Sequence, residues 1–323
     1  MPRPSVLIVT PYGQQANNGN WRTAARWARF LRDRFRVIVQ AQPRPQDLAD
    51  ADCLVALHAR RSHAAIREWR DRHPERPVVV VLTGTDLYRD LPHDAQARES
   101  LAMADRLVVL QDEGVHSLPR EHRHKAHVVC QSAPALQRGG RNSTRFHCLF
   151  VGHLREEKDP LTAMLAWKEI PADVPVHLTM IGDALSPALA AAARSLQKRD
   201  ARFRWLGPRP HGSTRQAIKH AHVLLVCSRM EGGANVIVEA VTSGTPVLAS
   251  HIPGNVGMLG PDYAGYFPVG DAAGLAQLVL RCRGDPKFYR ALARQCQARR
   301  PLFAPARERA LLSRLVREAL HVV

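Results

Sequence analysis

The stretch SRMEGGANVIVEAVTSGTPVLAS, residues 228 to 250, holds two carboxylates at a spacing that could do chemistry. Glu231 lies at the mouth of a glycine turn. Glu239 lies in an apolar run that reads as a helix ended by Gly244 and followed by Pro246. Gly232 and Gly233 let backbone approach a ligand closely. The N–H groups around Ala234 and Asn235, at the start of that helix, have no partner within it and suit an anion or a hydroxyl. Glu239, about one turn inside, is placed to accept hydrogen bonds from vicinal hydroxyls. The competing reading is structural, since a glutamate near a helix N-terminus complements the helix dipole.

Two further groups of residues follow apolar runs. CLVALHA leads into His58, Arg60, Arg61 and Ser62, and VVVVL leads into Gly84, Thr85 and Asp86. Arginine forks give bidentate contacts to phosphate oxygens. Ser62 and Thr85 add hydroxyl donors, His58 a titratable one, and Gly84 allows close approach. Asp86 would repel an anion, so its expected task is to orient an arginine or a hydroxyl. Adjacent residues on a helix do not face one site, so one of Arg60 and Arg61 is expected to be structural. Gly19 and Asn20 follow the first strand and open a helix, where backbone and amide groups could meet an anion. The alternative for Asn20 is a plain helix N-cap.

The elements that must carry these residues are short β-branched runs alternating with amphipathic stretches such as WRTAARWARFLRDR (21–34). The first half predicts strands over 5–10, 36–40, 53–59, 77–83, 106–111 and 126–131. The second half predicts strands over 146–152, 176–182, 203–207, 223–228 and 246–250. Continuous apolar strands with helices between them indicate parallel sheets covered on both faces. Two doubly wound, Rossmann-like α/β domains are the economical fold class. The expected boundaries are 1–136 for the first domain, 137–145 for a polar glycine-containing linker and 146–300 for the second domain. A final helix within 301–323 is expected to pack back on the first domain. Ligands in such sheets bind beyond the C-terminal strand ends, and two domains facing across a cleft would bring all these loops together.

The formal net charge is +17 and the pI about 10.6. Both favour anionic partners. However, only six of the 46 basic residues are lysine, and an arginine-rich coding bias accounts for such an excess equally well. No apolar stretch is long enough to span a membrane. The start MPRPSVLIVTPYG lacks the apolar core and cleavage site of a signal peptide. A soluble cytoplasmic protein is therefore expected. The six scattered cysteines suit buried thiols. DAD at 50–52 stands before a strand and reads as a turn, and EHRHKAH (121–127) lacks the context of a zinc site.

The pattern S-x-x-E-G-x6-E-A-x3-G-x-P-V resembles the Glu-x7-Glu region of retaining family-4 glycosyltransferases of the GT-B fold. The resemblance implies that Glu239 binds the ribose of a nucleotide-sugar. It implies that Glu231 and the Gly232, Gly233 and Ala234 backbone hold the donor hexose, with Asn235 near the diphosphate. LFVGHLREEKDPLTAMLAW (149–167) is similar to that family's strand, glycine and lysine segment, in which an Arg and a Lys clamp the diphosphate. The matching positions are Gly152, Arg155 and Lys158. Fixed cations stabilise the charge a departing nucleoside diphosphate gains, so catalysis without a metal or other cofactor is implied, the UDP-sugar being a co-substrate. WLGPRP (205–210) matches a strand end near the base, which makes Arg209 a base-contact candidate.

The N-terminal half narrows the resemblance. ALHARRS and LTGTDLYRDLPHDA are similar to the selenosugar synthase family of selenoneine biosynthesis, which joins a hexose from a UDP-sugar to the selenium of selenophosphate. That implies glucose or N-acetylglucosamine as the sugar. It places selenophosphate on His58, Arg60, Arg61, Ser62, Gly84 and Thr85, with Thr85 counted beside Lys158, Arg155 and Glu231 among the catalytic groups. The first loop, GQQANNGNW, departs from that family in length. The Glu-x7-Glu likeness implies retention at the anomeric carbon, but a soft nucleophile can attack from the opposite face. The alternatives are a family-4 hexosyltransferase with a hydroxyl or lipid acceptor, a sugar-nucleotide epimerase and a charge-driven nucleic-acid binder. The last needs stacking aromatics, and aromatics are only 6% of the chain. Neither nucleic acid nor membrane is expected as a partner.

Overall fold

The computed structural model describes residues 3–13, 19–137, 140 and 144–321. The chain divides into two units. One comprises Met1–Gln131 with Pro305–Val323, and the other Ser132–Ala304. The division falls earlier than 136 because the chain beyond Gln131 already bonds within the second unit: Ala133 N–H donates to Phe303 O, and Leu136 N–H to Thr242 O. Much of the 137–145 segment lies outside the described residues.

The first unit holds one parallel six-stranded sheet. Its strands are β1 (Ser5–Val9), β2 (Arg36–Gln40), β3 (Cys53–Leu57), β4 (Val78–Val81), β5 (Arg106–Val109) and β6 (Ala126–Val128), in the order β2-β1-β3-β4-β5-β6. β1 and β3 to β5 are almost wholly buried, as strands covered on both faces must be. One face packs on Trp69, Ile66 and Leu101. The other packs on Trp27 and Leu31 of helix Gly19–Leu31 and on Leu312, Leu315 and Val316 of helix Pro305–His321. The final helix is fastened by Glu308, fully buried, which accepts from Arg26 at 2.9 Å and from the Trp27 indole at 2.7 Å. Helix Gly19–Leu31 starts earlier and ends earlier than 21–34, since residues 32–34 are exposed and add nothing to the buried face.

The second unit holds β7 (Phe146–Val151), β8 (Val176–Ile181), β9 (Phe203–Trp205), β10 (Val223–Val226), β11 (Val247–Ser250) and β12 (Tyr266–Phe267). They form a parallel sheet in the order β12-β11-β10-β7-β8-β9. Counted within the unit, that is the strand order 3-2-1-4-5-6 read from the other edge, with the switch point between β7 and β10. In the first unit the order reverses between β1 and β3. Both units are thus Rossmann-like parallel sheets, and the residues beyond β7 and β10, and beyond β1 and β3, stand where such sheets bind ligands. All six cysteines are buried and unbridged. Burial pushes the Cys53 thiol up to about 12, so it is no nucleophile. Among the described residues no helix is long and apolar enough to cross a membrane.

Candidate functional site

In the second unit the loops after β7 and β10 meet. Ser228 Oγ donates to Glu231 Oε1 at 2.5 Å, and Lys158 Nζ donates to the same oxygen at 2.5 Å. Glu231 is buried and Lys158 about one-fifth exposed. A carboxylate can be buried here because it has a cation and a hydroxyl on one oxygen. The stem of Lys158 passes over Gly152, 3.6 Å from where a Cβ would stand. The loop is seated tightly. A Cβ on Gly254 would come within 1.9 Å of Glu231 O, and one on Gly182 within 1.9 Å of Gly152 O. Only glycine fits either place, and Gly182 also has φ +149°.

Arg155 and His153 lie on the same loop, and each keeps a buried nitrogen without a hydrogen-bond partner: Nε of Arg155 and Nδ1 of His153. Arg155 is only loosely paired, its Nε 3.8 Å from Glu157 Oε2. Burial, then the Arg155 cation, holds the His153 imidazole below its ordinary value, with Lys158 adding to this and Asp183 opposing it. Arg229, just beyond β10, pairs with Asp159 at 3.3 Å. This end of the sheet therefore gathers Arg155, Lys158 and Arg229 around two buried carboxylates.

The helix after the glycine turn is Asn235–Thr242, with Ala234 as an N-cap that has no side-chain acceptor. Asn235 is its first residue. Ala234 N–H points to Met258 Sδ at 3.1 Å, so that donor is already committed within the protein. Glu239 sits beyond the first turn and is buried. The dipole reading therefore does not explain it. Its Oε1 lies 2.7 Å from Nε2 of His211. Arg209 is exposed, and its one described hydrogen bond is a long 3.5 Å contact to the neighbouring Pro208 O.

In the first unit β3 and β4 end beside one another, and their loops share a buried polar cluster. His58 is buried with φ +74°, an unusual backbone for a non-glycine residue. Its Nε2 is 3.0 Å from Thr85 Oγ1. Gly84 has φ +131° and precedes the π-helical turn Asp86–Asp90. Asp86 orients neither an arginine nor, at close range, a hydroxyl. It accepts main-chain N–H bonds from Ala59, Thr83 and Gly84 at 3.0, 2.8 and 2.9 Å, stitching the two loops together. The arginine-holding role falls to Asp90, which takes Arg60 Nε at 2.8 Å and Arg89 Nε at 3.1 Å. Ser62 is buried with its hydroxyl spent on Leu57 O at 2.7 Å, so it closes the strand end instead of facing a ligand. Arg60 and Arg61 do part company. Arg61 is exposed and lies over the Tyr12 ring at 4.8 Å. Gly19 and Asn20 both lie inside the first helix, so Asn20 is not its N-cap. The preceding loop residues 14–18 lie outside the described residues.

The structure thus brings Gly152, Lys158 and Glu231 together, and it places Glu239 on the adjoining helix. Ser228 opens the quoted pattern without being given a role there, and His153 and His211 escaped the sequence reading. A histidine two residues before Arg155 and another two residues after Arg209 were the available signals.

The glycosyl transferases group 1 family profile matches residues 134–299, more than half of the chain. The chain belongs to the group 1 glycosyl transferases. Solved structures of this class share its architecture. Sucrose-phosphate synthase from Thermosynechococcus elongatus superposes with a TM-score of 0.79 at 16% identity, over 99% of this chain and 100% of that one. HepE of Anabaena in complex with UDP-glucose gives 0.76 at 16% identity over the same shares. The lipopolysaccharide outer core galactosyltransferase WaaB gives 0.68 at 13% identity, over 97% and 99%. At these identities the likeness is one of fold, the GT-B fold of two Rossmann-like domains. Family membership makes this glycosyl transferase an enzyme of sugar transfer, and the profile covers the whole Lys158, Glu231 and Glu239 region.

Proposed function

We propose that this glycosyl transferase moves a hexose, glucose or N-acetylglucosamine, from a UDP-sugar to selenophosphate. The C1–O bond to UDP breaks with its electron pair leaving on the diphosphate, and a C1–Se bond forms. Water then takes the phosphoryl group from selenium. The observation that carries the donor half is the Lys158–Glu231 pair at 2.5 Å across the switch point of the second sheet. A cation held at that point can shift from Glu231 toward the diphosphate as charge develops, while Arg155 and His153 offer unpartnered nitrogens beside it. Glu239 meets the ribose, and the Glu231 loop meets the hexose. HepE, of the same fold, was crystallised with UDP and glucose. That the donor is a UDP-sugar rests on this likeness and on the Glu-x7-Glu pattern.

The selenophosphate half rests on the resemblance of ALHARRS and LTGTDLYRDLPHDA to selenosugar synthases. In the first unit, Arg61 and the Thr85 hydroxyl are the groups best placed to serve an anion. One observation favours a hydroxyl acceptor instead. Arg60 is engaged by Asp90, and Asp86, Asp90 and Asp94 crowd the same loops. The deciding experiment is product analysis after incubation with UDP-glucose or UDP-N-acetylglucosamine, with and without selenophosphate. A selenium-bearing sugar by mass spectrometry, formed only with selenophosphate, supports the first reading. UDP release driven by a hydroxyl acceptor alone overturns it.

A further inference from the structure

His211 opens helix His211–His220 beside a carboxylate that is almost wholly enclosed. Its Nε2 is 2.7 Å from Glu239 Oε1, while the two side chains are 52% and 8% exposed. A carboxylate only accepts, so Nε2 carries the hydrogen of this contact. Four residues along the same helix, Arg215 donates from one nitrogen to Glu239 main-chain O at 3.1 Å and to Thr242 Oγ1 at 3.3 Å. Its other nitrogen reaches Pro134 O at 2.7 Å. Residues i and i+4 share a helix face. One face of this helix therefore grips Glu239 twice, at its backbone through Arg215 and at its side chain through His211.

We propose that His211 is a positioning residue of the nucleotide site, holding the Glu239 carboxylate in the orientation that meets a ribose diol. This rests on the donor reading above, in which Glu239 binds ribose. An unbraced glutamate loses rotamer freedom when a ligand fixes it, and that loss is subtracted from affinity. A brace already made in the empty protein removes the loss. A carboxylate has about four lone-pair sites, so a bond on Oε1 is compatible with further donors. The ligand class is a nucleoside diphosphate with both ribose hydroxyls. Arg215 has no part in the readout, since its bonds go to main-chain oxygens and Thr242.

Calorimetry with UDP and with 2′-deoxyuridine diphosphate on the wild type, His211→Ala, His211→Gln, Glu239→Gln and the Ala/Gln double variant tests this. His211→Ala weakens UDP binding about tenfold, the scale of one charge-assisted hydrogen bond. It weakens the 2′-deoxy ligand, which keeps only one of the two hydroxyls, by less, and His211→Gln restores most of the loss. The double variant binds UDP no more weakly than Glu239→Gln alone. In turnover, the donor KM rises with kcat unchanged at saturating donor. UDP binding by His211→Ala that equals or exceeds wild type, or losses that simply add in the double variant, overturns the positioning role while leaving the ribose assignment intact. If Glu239→Gln itself binds UDP like wild type, the ribose assignment fails and the proposal goes with it.

Discussion

Lys158 and Glu231 stand 73 residues apart in the chain and 2.5 Å apart in space. The pair ties the loop after β7 to the loop after β10. In the proposed reaction it also holds a cation ready for the departing nucleoside diphosphate.

From this pairing, Lys158→Ala lowers kcat about a hundredfold or more while changing the donor KM much less. Steady-state kinetics with the UDP-sugar varied checks it. Turnover continues in EDTA if Lys158 and Arg155 carry the leaving-group charge. Activity lost in EDTA and regained with magnesium or manganese would assign that charge to a metal.

The first unit separates two kinds of residue that look alike in sequence. Arg61→Ala and Thr85→Val raise the acceptor KM or lower turnover about tenfold, with UDP affinity unchanged. Ser62→Ala leaves acceptor kinetics alone and lowers stability by about 1–3 kcal/mol, because Leu57 O loses its buried donor. Acceptor titrations and urea melts on the same three variants distinguish the two outcomes.

Gly254→Ala drives a methyl into Glu231 O. The expected cost is about 1–3 kcal/mol of stability, together with a drop in turnover as the Glu231 loop shifts. Gly284→Ala is the control. It ends helix Ala272–Gly284 with nothing within 4 Å of the added carbon, and it should be neutral or slightly stabilising.

His147 is part-buried, with its Nε2 2.8 Å from Thr179 Oγ1. Burial holds it, and likewise His153, His127, His122 and His177, below the ordinary imidazole value. The folded values lie below the unfolded one of about 6.5. The associated stability is therefore fully present above that pH and is lost as pH falls through the folded values. Asp47 and Asp200, held low by Arg44 and Arg202, act only in the carboxylate range below about 4. Melting temperature should fall as pH drops below about 6.5, and His147→Gln should flatten that slope. A Tm constant across this window would contradict the assignment.

The strands that position the site were legible because each is a short, largely apolar run, mostly buried on both faces. β12 was missed because two residues, Tyr266 and Phe267, make no pattern. Lys158, Glu231 and Glu239 were legible because they follow strand ends or sit at helical spacing. Partner choice was not. The arginine-holding role expected of Asp86 falls to Asp90, in a turn that is π-helical, with Leu91 N–H reaching back to Asp86 O, a register no local pattern announces. His211 joins Glu239 from 28 residues away. Such a pairing exists only after the sheet has formed.

The first unit is interrupted: its chain leaves at Gln131 and returns at Pro305. During synthesis the sheet face under Trp27 and Leu31 stays uncovered until Leu312, Leu315 and Val316 emerge, long after the strands they cover. The inserted unit is contiguous and can finish on the ribosome while the earlier-made one waits. Nascent chains stalled before residue 305 should therefore carry a protease-resistant second unit and an unfinished, chaperone-dependent first one.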